Sequence, residues 1–403
     1  MKENNFSRRN FVKTLGAVGV GSLVGAGKAL AQSNAPASAA PPKPAKVSTR
    51  IFGRTGLPVS MLGLGGMFDI ENNQLMLKQA LDWGVTYWDT SAGYNGGKSE
   101  GGMGMFLEKN PQRRKDIFLV TKYDGGGMTN ALEQSLAKLK TDYLDLYFLH
   151  GLSHPDQLND EMKAWAEKAK ADKKIRFFGF STHSNMENCL TVAAQLGWID
   201  GIMLKYDFRL MHTDAMKSAV DAATKAGIGL TAMKTQSKSP VATETEADLK
   251  MGGHFIQRGF TQQQAKLKAI WENPQIAAIC SQMPNLNILH ANIAAALDKT
   301  SLTAADHAAL RQYAEATRME HCAGCTHICE TALNQPVPVG DVMRCLMYHR
   351  AYGDQELARK VFGQLPETAR RGLAGFDYAA AERACPHGLP VAQLMREAGE
   401  LFA

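Results

Sequence analysis

Short apolar runs recur between residue 59 and about residue 296, and longer stretches of mixed apolar and polar residues separate them. Runs of this length read as strands buried on both faces, whereas apolar residues spaced three and four apart read as helices. The predicted strands are VSMLGLG (59–65), VTYWDT (85–90), IFLVTK (117–122), YLDLYFLH (143–150), IRFFGFS (175–181), GIMLKY (201–206), IGLTAM (228–233) and IAAICS (276–281). The predicted helices include 72–83, 130–139, 157–170, 186–196, 214–226 and 261–271. Eight strands, each followed by a helical stretch, predict an α/β fold closed as a (β/α)8 TIM barrel. An open doubly wound sheet is the competing layout. It lacks support because no G-x-G-x-x-G closes the first strand, and a count of eight suits closure. Residues 235–260 show no clear period and read as a long polar loop, a candidate lid over the barrel mouth. Beyond residue 300 the pattern is that of a small, mostly α-helical module.

Charge changes this picture only at the front. The formal net charge is +6, but residues 1–31 carry five basic side chains against Glu3 alone, so the rest of the chain holds only +2. That distribution excludes a nucleic-acid footprint, since no basic run interleaved with aromatics follows. Ser7–Lys13 reads SRRNFVK and precedes a weakly apolar, glycine-rich stretch and Ala29-Leu30-Ala31. The segment resembles a twin-arginine export signal, which implies the twin-arginine machinery as a partner and a periplasmic or otherwise exported location. It is too short and glycine-rich for a stable membrane span; retained rather than cleaved, it would act as an anchor. The expected organisation is a signal over 1–31, a Pro/Ala-rich linker over 32–47, a barrel over 48–300 and a helical cysteine module over 301–403.

In a closed parallel barrel the active face lies at the strand C-termini and the loops behind them. Five polar residues fall there: Asp89, Tyr94 in the loop behind it, Lys122, His150 and Ser181. Reduction of a carbonyl by hydride requires a proton at the oxygen as negative charge builds. A phenol is a poor acid at neutral pH unless its anion is stabilised. A lysine ammonium supplies that stabilisation, a carboxylate keeps the lysine charged, and a neutral histidine orients the carbonyl. Tyr94 is therefore the expected acid, Lys122 its tuner, Asp89 the partner of Lys122 and His150 the substrate orienter.

The pieces WDTSAGY, LVTK and YFLH, together with RTGLPVSMLGLGG (54–66) and GFSTHS (179–184), resemble the aldo-keto reductase family over residues 50 to about 296. The resemblance implies a nicotinamide cofactor, NADP or NAD, held across the barrel mouth, and a small carbonyl or alcohol substrate. It places Ser181 and Thr182 beside the carboxamide, where the family has Ser and Asn. Met203 stands at the family's glutamine and Met233 at its stacking aromatic, followed by Lys234. After the eighth strand, Ser281 and Asn292 match the family's cofactor segment, but no Lys or Arg occurs within 280–293. A 2′-phosphate without a basic partner is poorly held, so Lys205, Lys234 and Arg209 are the compensating candidates.

Five of the seven cysteines lie from position 322 onward. Cys322, Cys325 and Cys329 form C-x2-C-x3-C, and Cys385 precedes Pro386. The set resembles the ferredoxin-like modules appended to some aldo-keto reductases, which implies a [4Fe-4S] cluster on these four residues. Zinc on the same thiolates, with His321, His327 or His387, is the alternative, and disulfides are a third. Export of an already folded, preloaded protein favours the cluster. Cys345 is expected to pack within a helix, and Cys189 and Cys280 within the barrel core. Two functions compete: an exported oxidoreductase with an iron–sulfur appendage, or a barrel without turnover that relays electrons to a redox partner protein.

Overall fold

The computed structural model describes residues 45–236 and 245–402. The arginine-bearing segment, the linker up to residue 44 and residues 237–244 of the candidate lid lie outside the described residues.

Strands β3 (Leu62–Gly65), β4 (Tyr87–Asp89), β5 (Phe118–Tyr123), β6 (Leu144–Leu149), β7 (Ile175–Thr182), β8 (Gly201–Lys205), β9 (Gly229–Met233) and β10 (Ile276–Gln282) close into one barrel in that order. Every neighbouring pair is parallel. Helices lie between and after the strands: α1 (Gln74–Asp82), α2 (Lys98–Lys109), α3 (Met128–Leu139), α4 (Asp160–Ala171), α5 (Met186–Leu196), α6 (Asp214–Lys225), α7 (Glu246–Gln257), α8 (Gln262–Trp271) and α9 (Leu286–Leu297).

Two expectations need correction. The apolar run 59–65 is not one strand, because Pro58–Ser60 (β2) pairs antiparallel with Thr49–Ile51 (β1) as a hairpin, and the barrel strand starts only at Leu62. Ser60 enforces the break: its hydroxyl donates to Leu62 O and accepts the backbone N–H of Thr86 and Tyr87, so the chain turns there. The stretch 235–260 is not aperiodic throughout. Thr245 and Asp248 form a capping box that opens α7, and Met251 and Phe255, four apart, bury its inner face. The Gly252-Gly253 pair between them dilutes that signal in the sequence.

The hairpin seals the barrel floor. Phe52 is fully buried among Tyr87, Phe118, Val120 and Leu146, and its ring lies over the first residues of β8 and β9. A Cβ on Gly229 would stand 2.4 Å from the Phe52 ring, and one on Gly201 2.8 Å from it. Above this floor, side chains alternate inward and outward along each strand with period two. Tyr87 and Asp89 point inward on β4, Phe118, Val120 and Lys122 on β5, and Leu146 and Phe148 on β6, with His150 next in step. The inward series thus changes from apolar to ionisable at the mouth.

After residue 300 the chain forms α10 (Ala304–Ala316), α11 (Thr326–Thr331), α12 (Val339–Arg350), α13 (Gln355–Gly363), α14 (Glu367–Gly372), α15 (Ala379–Ala384) and α16 (Val391–Phe402). Helix α10 packs on α7, whereas α12, α13, α15 and α16 share a separate apolar core built on Val342, Leu346, Phe362, Leu394 and Met395. Cys345 is fully buried in that second core, as expected for a packing residue.

The tight floor makes a testable double substitution. Phe52→Ala is expected to lower the unfolding free energy by ~3–5 kcal/mol, and Gly229→Ala alone by ~1–3 kcal/mol through overpacking. In the double variant the added methyl enters the space Phe52 left, so the cost should fall below the sum by ~1–3 kcal/mol in urea unfolding. Strict additivity would show that the ring does not rest on this glycine.

Candidate active site

The inward alternation of β4 and β5 brings Asp89 and Lys122 side by side, because Asp89 pairs in register with Val120, two residues before Lys122. Lys122 Nζ donates to Asp89 Oδ1 and Oδ2 at 2.6 and 2.7 Å and to Thr90 O at 2.8 Å. All three ammonium protons are therefore engaged. Burial opposes the ammonium, but Asp89 and then Tyr94 outweigh it and hold the Lys122 pKa above that of an ordinary lysine. The Tyr94 ring lies 4.7 Å from Lys122 Nζ, and the His150 ring meets Tyr94 edge-on at 5.7 Å. The four residues chosen from strand ends stand on one rim.

Lys122 draws the Tyr94 phenol toward acidity, but burial acts against it. Burial raises the Tyr94 phenol above its ordinary value and outweighs the nearby Lys122 charge. Lys122 gives its hydrogen bonds to Asp89 and Thr90, so it reaches Tyr94 through space only. At rest Tyr94 is a weaker acid than a free phenol, and its proton becomes transferable only once negative charge develops on a bound oxygen.

These residues open into a cavity of about 1290 Å³. Asp89, Tyr94, His150, Met203, Met233, Lys234, Ser281 and Asn292 line it, and Lys122 lies buried behind Tyr94 and Asp89. Ser281 joins a polar network: its hydroxyl donates to Gln236 Oε1 at 3.1 Å and accepts from Asn292 Nδ2 at 3.0 Å. Ser181 and Thr182 do not reach the cavity wall. The Ser181 hydroxyl accepts Gly151 N, and Thr182 donates to Ser184 O. Lys205 and Arg209 are also drawn away from the mouth, donating to Cys322 O and to Ala314 O respectively. Of the three compensating cations, Lys234 alone lines the cavity. Cys280 packs against the barrel interior, as expected, and also lines the cavity beside Asp89, where burial pushes its thiol well up.

Several residues escaped the sequence reading. Asp124, two positions past Lys122, accepts Gly93 N at 2.6 Å and is hydrogen-bonded to Ser91 Oγ and His150 Nδ1. Its doubly polar setting in the glycine-rich run YDGGG carries no periodic signal. Arg344 and Tyr348 on α12 also face the cavity, and Lys234 Nζ donates to Tyr348 Oη at 3.3 Å. Their spacing marks only a helix; that this helix covers the mouth depends on docking. His183 completes the wall near Arg344 and Lys234, and burial, followed by those two cations, pushes its pKa well down, leaving it neutral.

Beyond the ends of β7 and β8, Cys322, Cys325, Cys329 and Cys385 line one small apolar cavity with Val339, Met343, Leu389 and Val391. All four are free thiols, and burial pushes Cys325 to about 11 and Cys329 to about 12. Among the described residues no group of three or more His, Cys, Asp or Glu side chains is gathered for a single metal ion. The loop is fixed to the barrel by Asn185 N, which donates to Gly324 O at 2.7 Å. Gly324 has φ of +94°, and a Cβ there would stand 2.5 Å from His183 O, so the site requires glycine. No described helix is long and apolar enough to cross a membrane.

Known proteins place this geometry. Over 151 residues the chain is 34% identical to the uncharacterized oxidoreductase YqkF of Bacillus subtilis, covering 33% of this chain and 48% of that protein. Over 181 residues it is 30% identical to the aldo-keto reductase yakc [NADP(+)] of Schizosaccharomyces pombe, covering 40% and 52%. The chain thus spans about half the length of these curated relatives. Among solved structures, an aldo-keto reductase of Bacillus halodurans in its holo form superposes with a TM-score of 0.55 at 23% identity, over 66% of this chain and 96% of that one. A Klebsiella pneumoniae aldo/keto reductase solved with NADP and acetate gives 0.54 at 22% identity, over 67% and 95%. Both likenesses support the fold. The profile of the Aldo/keto reductase family matches residues 60–312, more than half of the chain. With that match on a closed parallel barrel, the chain belongs to the aldo/keto reductase family.

Proposed function

We propose that this chain is an oxidoreductase that interconverts a small carbonyl compound and its alcohol with a nicotinamide dinucleotide. The observation that carries the reading is the convergence of Tyr94, Lys122, Asp89 and His150 on one rim of a cavity large enough for cofactor and substrate. The cofactor, when bound, supplies or accepts the hydride. The residues facing the cavity fit such a group: the Gln236–Ser281–Asn292 network offers donors and acceptors, Lys234 offers a cation for a phosphate, and Met203 and Met233 offer a soft apolar floor. NADP is favoured by the name of the fission-yeast relative and the ligand of the Klebsiella structure. Tyr94 gives its proton to the substrate oxygen as charge builds, and Lys122, held charged by Asp89, stabilises the phenolate left behind. Of the two functions weighed from the sequence, the polar rim favours turnover over a relay alone.

The second part of the proposal is a [4Fe-4S] cluster on Cys322, Cys325, Cys329 and Cys385. Four thiols line one apolar space, and burial raises Cys322, Cys325 and Cys329, so a compensating positive charge is required before the set ionises together. The C-x2-C-x3-C spacing of Cys322, Cys325 and Cys329, with the Cys385-Pro386 pair, supports an iron–sulfur cluster over a single zinc. Export by the twin-arginine route, with the centre inserted beforehand, is the third part and rests on Arg8 and Arg9 in their sequence setting. A separate redox partner is the natural electron acceptor for an exported cluster.

Three outcomes are expected. Tyr94→Phe should reduce kcat for reduction of 4-nitrobenzaldehyde by ~10²–10⁴-fold while NADPH binding, followed by fluorescence, persists; unchanged turnover would remove Tyr94 from the chemistry. Protein matured in its own cells should contain iron and sulfide and lose visible absorbance with dithionite. Cys322→Ser should abolish that absorbance and Cys345→Ser should preserve it, whereas zinc in place of iron would overturn the cluster. Replacing Arg8 and Arg9 together by lysine should leave the protein in the cytoplasmic fraction, and continued export would discount the signal.

A further inference from the structure

We propose that Asp124 is a positioning residue that fixes a proton on His150 Nδ1, so that His150 donates a hydrogen bond to the substrate oxygen only as the charged imidazolium. The inference deepens the reductase reading and rests on it. His150 Nδ1 is hydrogen-bonded to Asp124 Oδ1, and the other carboxylate oxygen of Asp124 is held by Gly93 N at 2.6 Å and by Ser91 Oγ. Burial opposes ionisation of Asp124, but the His150 hydrogen bond and charge, then Ser91 and Gly93, outweigh it and hold the carboxyl down at about 2. It is therefore ionised throughout any working pH range, and an ionised carboxylate accepts only.

The nitrogen facing that carboxylate must carry hydrogen. Ser91 Oγ lies 3.4 Å from the same Nδ1, but its own proton is directed to Asp124. A neutral imidazole has one N–H, and here it sits at Nδ1. Nε2 is then a bare acceptor in the neutral ring and a donor only in the cation. The groups facing His150 are Asp124 beyond β5, Lys122 on β5 behind Tyr94, Asp89, Ser91 and Tyr94 on and after β4, and His183 after β7. Among these, Asp124 makes the direct contact with Nδ1 and decides which nitrogen is protonated. The neutral orienter expected from the sequence would need its N–H at Nε2, which this contact forbids.

Two directions of the same reaction then want opposite states of one ring. A carbonyl oxygen needs a donor, so reduction requires the imidazolium and is lost as pH rises and the ring is deprotonated. An alcohol hydroxyl needs an acceptor, so oxidation gains as the bare Nε2 appears. Nδ1 keeps its proton in both states, and the proton exchanged with the substrate oxygen belongs to Tyr94.

The test combines a spectrum with a rate. The full chain with ¹⁵N-labelled histidine rings, its His150 signal identified by loss in His150→Gln, should show the neutral ring protonated at Nδ1. In Asp124→Asn the proton should move in part to Nε2. In wild-type protein kcat/KM for 4-nitrobenzaldehyde reduction should fall about tenfold per pH unit above the midpoint, while that for 4-nitrobenzyl alcohol oxidation rises. Asp124→Asn should flatten both profiles, with reduction persisting at high pH where the wild-type rate is lost. A wild-type Nε2–H ring, or unchanged profiles in Asp124→Asn, would overturn the inference. The spectrum of the wild-type protein decides the point even if the variant fails to fold. A protein that reduces no aldehyde yet shows the Nδ1–H ring would refute the reductase reading and leave the His150–Asp124 pair standing.

Discussion

The Lys122–Asp89 ion pair is the constraint around which the mouth is built. Both side chains are almost fully buried, and withdrawing two charges from water costs several kcal/mol each unless geometry and hydrogen bonding are close to ideal. Here Lys122 finds three acceptors in Asp89 and Thr90 O. Removing one partner would strand the other, at roughly 3–5 kcal/mol. A pair of apolar residues would fill the same lumen positions at lower risk, as Val120 and Phe148 do one layer below. Keeping charge at this layer makes sense only if something at the mouth uses it, and the ring over Nζ is that of Tyr94.

From that pair the electrostatics divide across the cavity. Asp89 and Asp124 place negative charge on the β4–β5 side, where Lys122 pairs with the one and the His150 ring is hydrogen-bonded to the other. Lys234 and Arg344 place positive charge on the β9 side and on α12, with neutral His183 between. A hydride-transfer site benefits from this arrangement because phosphates and a developing oxyanion are the negative groups that enter it, and each meets an arranged cation or donor. Burial raises the phenol against the pull of Lys122, and in so buried a site charge appearing on a bound oxygen is felt at once.

What was legible in the sequence followed from period two. Asp89, Lys122 and His150 close strands whose inward series is set by Tyr87, Val120 and Phe148, so their common rim could be derived without coordinates. The eight barrel strands followed from the same alternation and from their apolar continuity. Loop residues were not legible. Asp124 reaches His150 because the backbone after β5 turns through Gly125 and Gly126, both with positive φ, and nothing in the sequence gives that path. Ser181 and Thr182 fall at a strand end like the others, yet local backbone partners capture their hydroxyls. Lys205 and Arg209 lost their anticipated role because acceptors on distant segments, Cys322 O and Ala314 O, lie within their reach. The cysteine spacing was legible as a set because short-range geometry brings Cys322, Cys325 and Cys329 together; that Cys385 joins them depends on α15 packing against α11.

The C-terminal helices cannot be regarded as an appendage that the barrel merely carries. Residues that end β8 hold the cysteine loop and the turn after α10, and α12 returns Tyr348 and Arg344 to the cavity from which the hydride chemistry would proceed. One helix therefore touches both spaces, since Met343 lines the cysteine cavity and its neighbour Arg344 lines the mouth. A shift of α12 that accommodated a change at the thiols would move the wall of the other site, because packed helices shift as rigid elements rather than by local give. The two spaces thus share one turn of helix, with Met343 on one wall and Arg344 on the other.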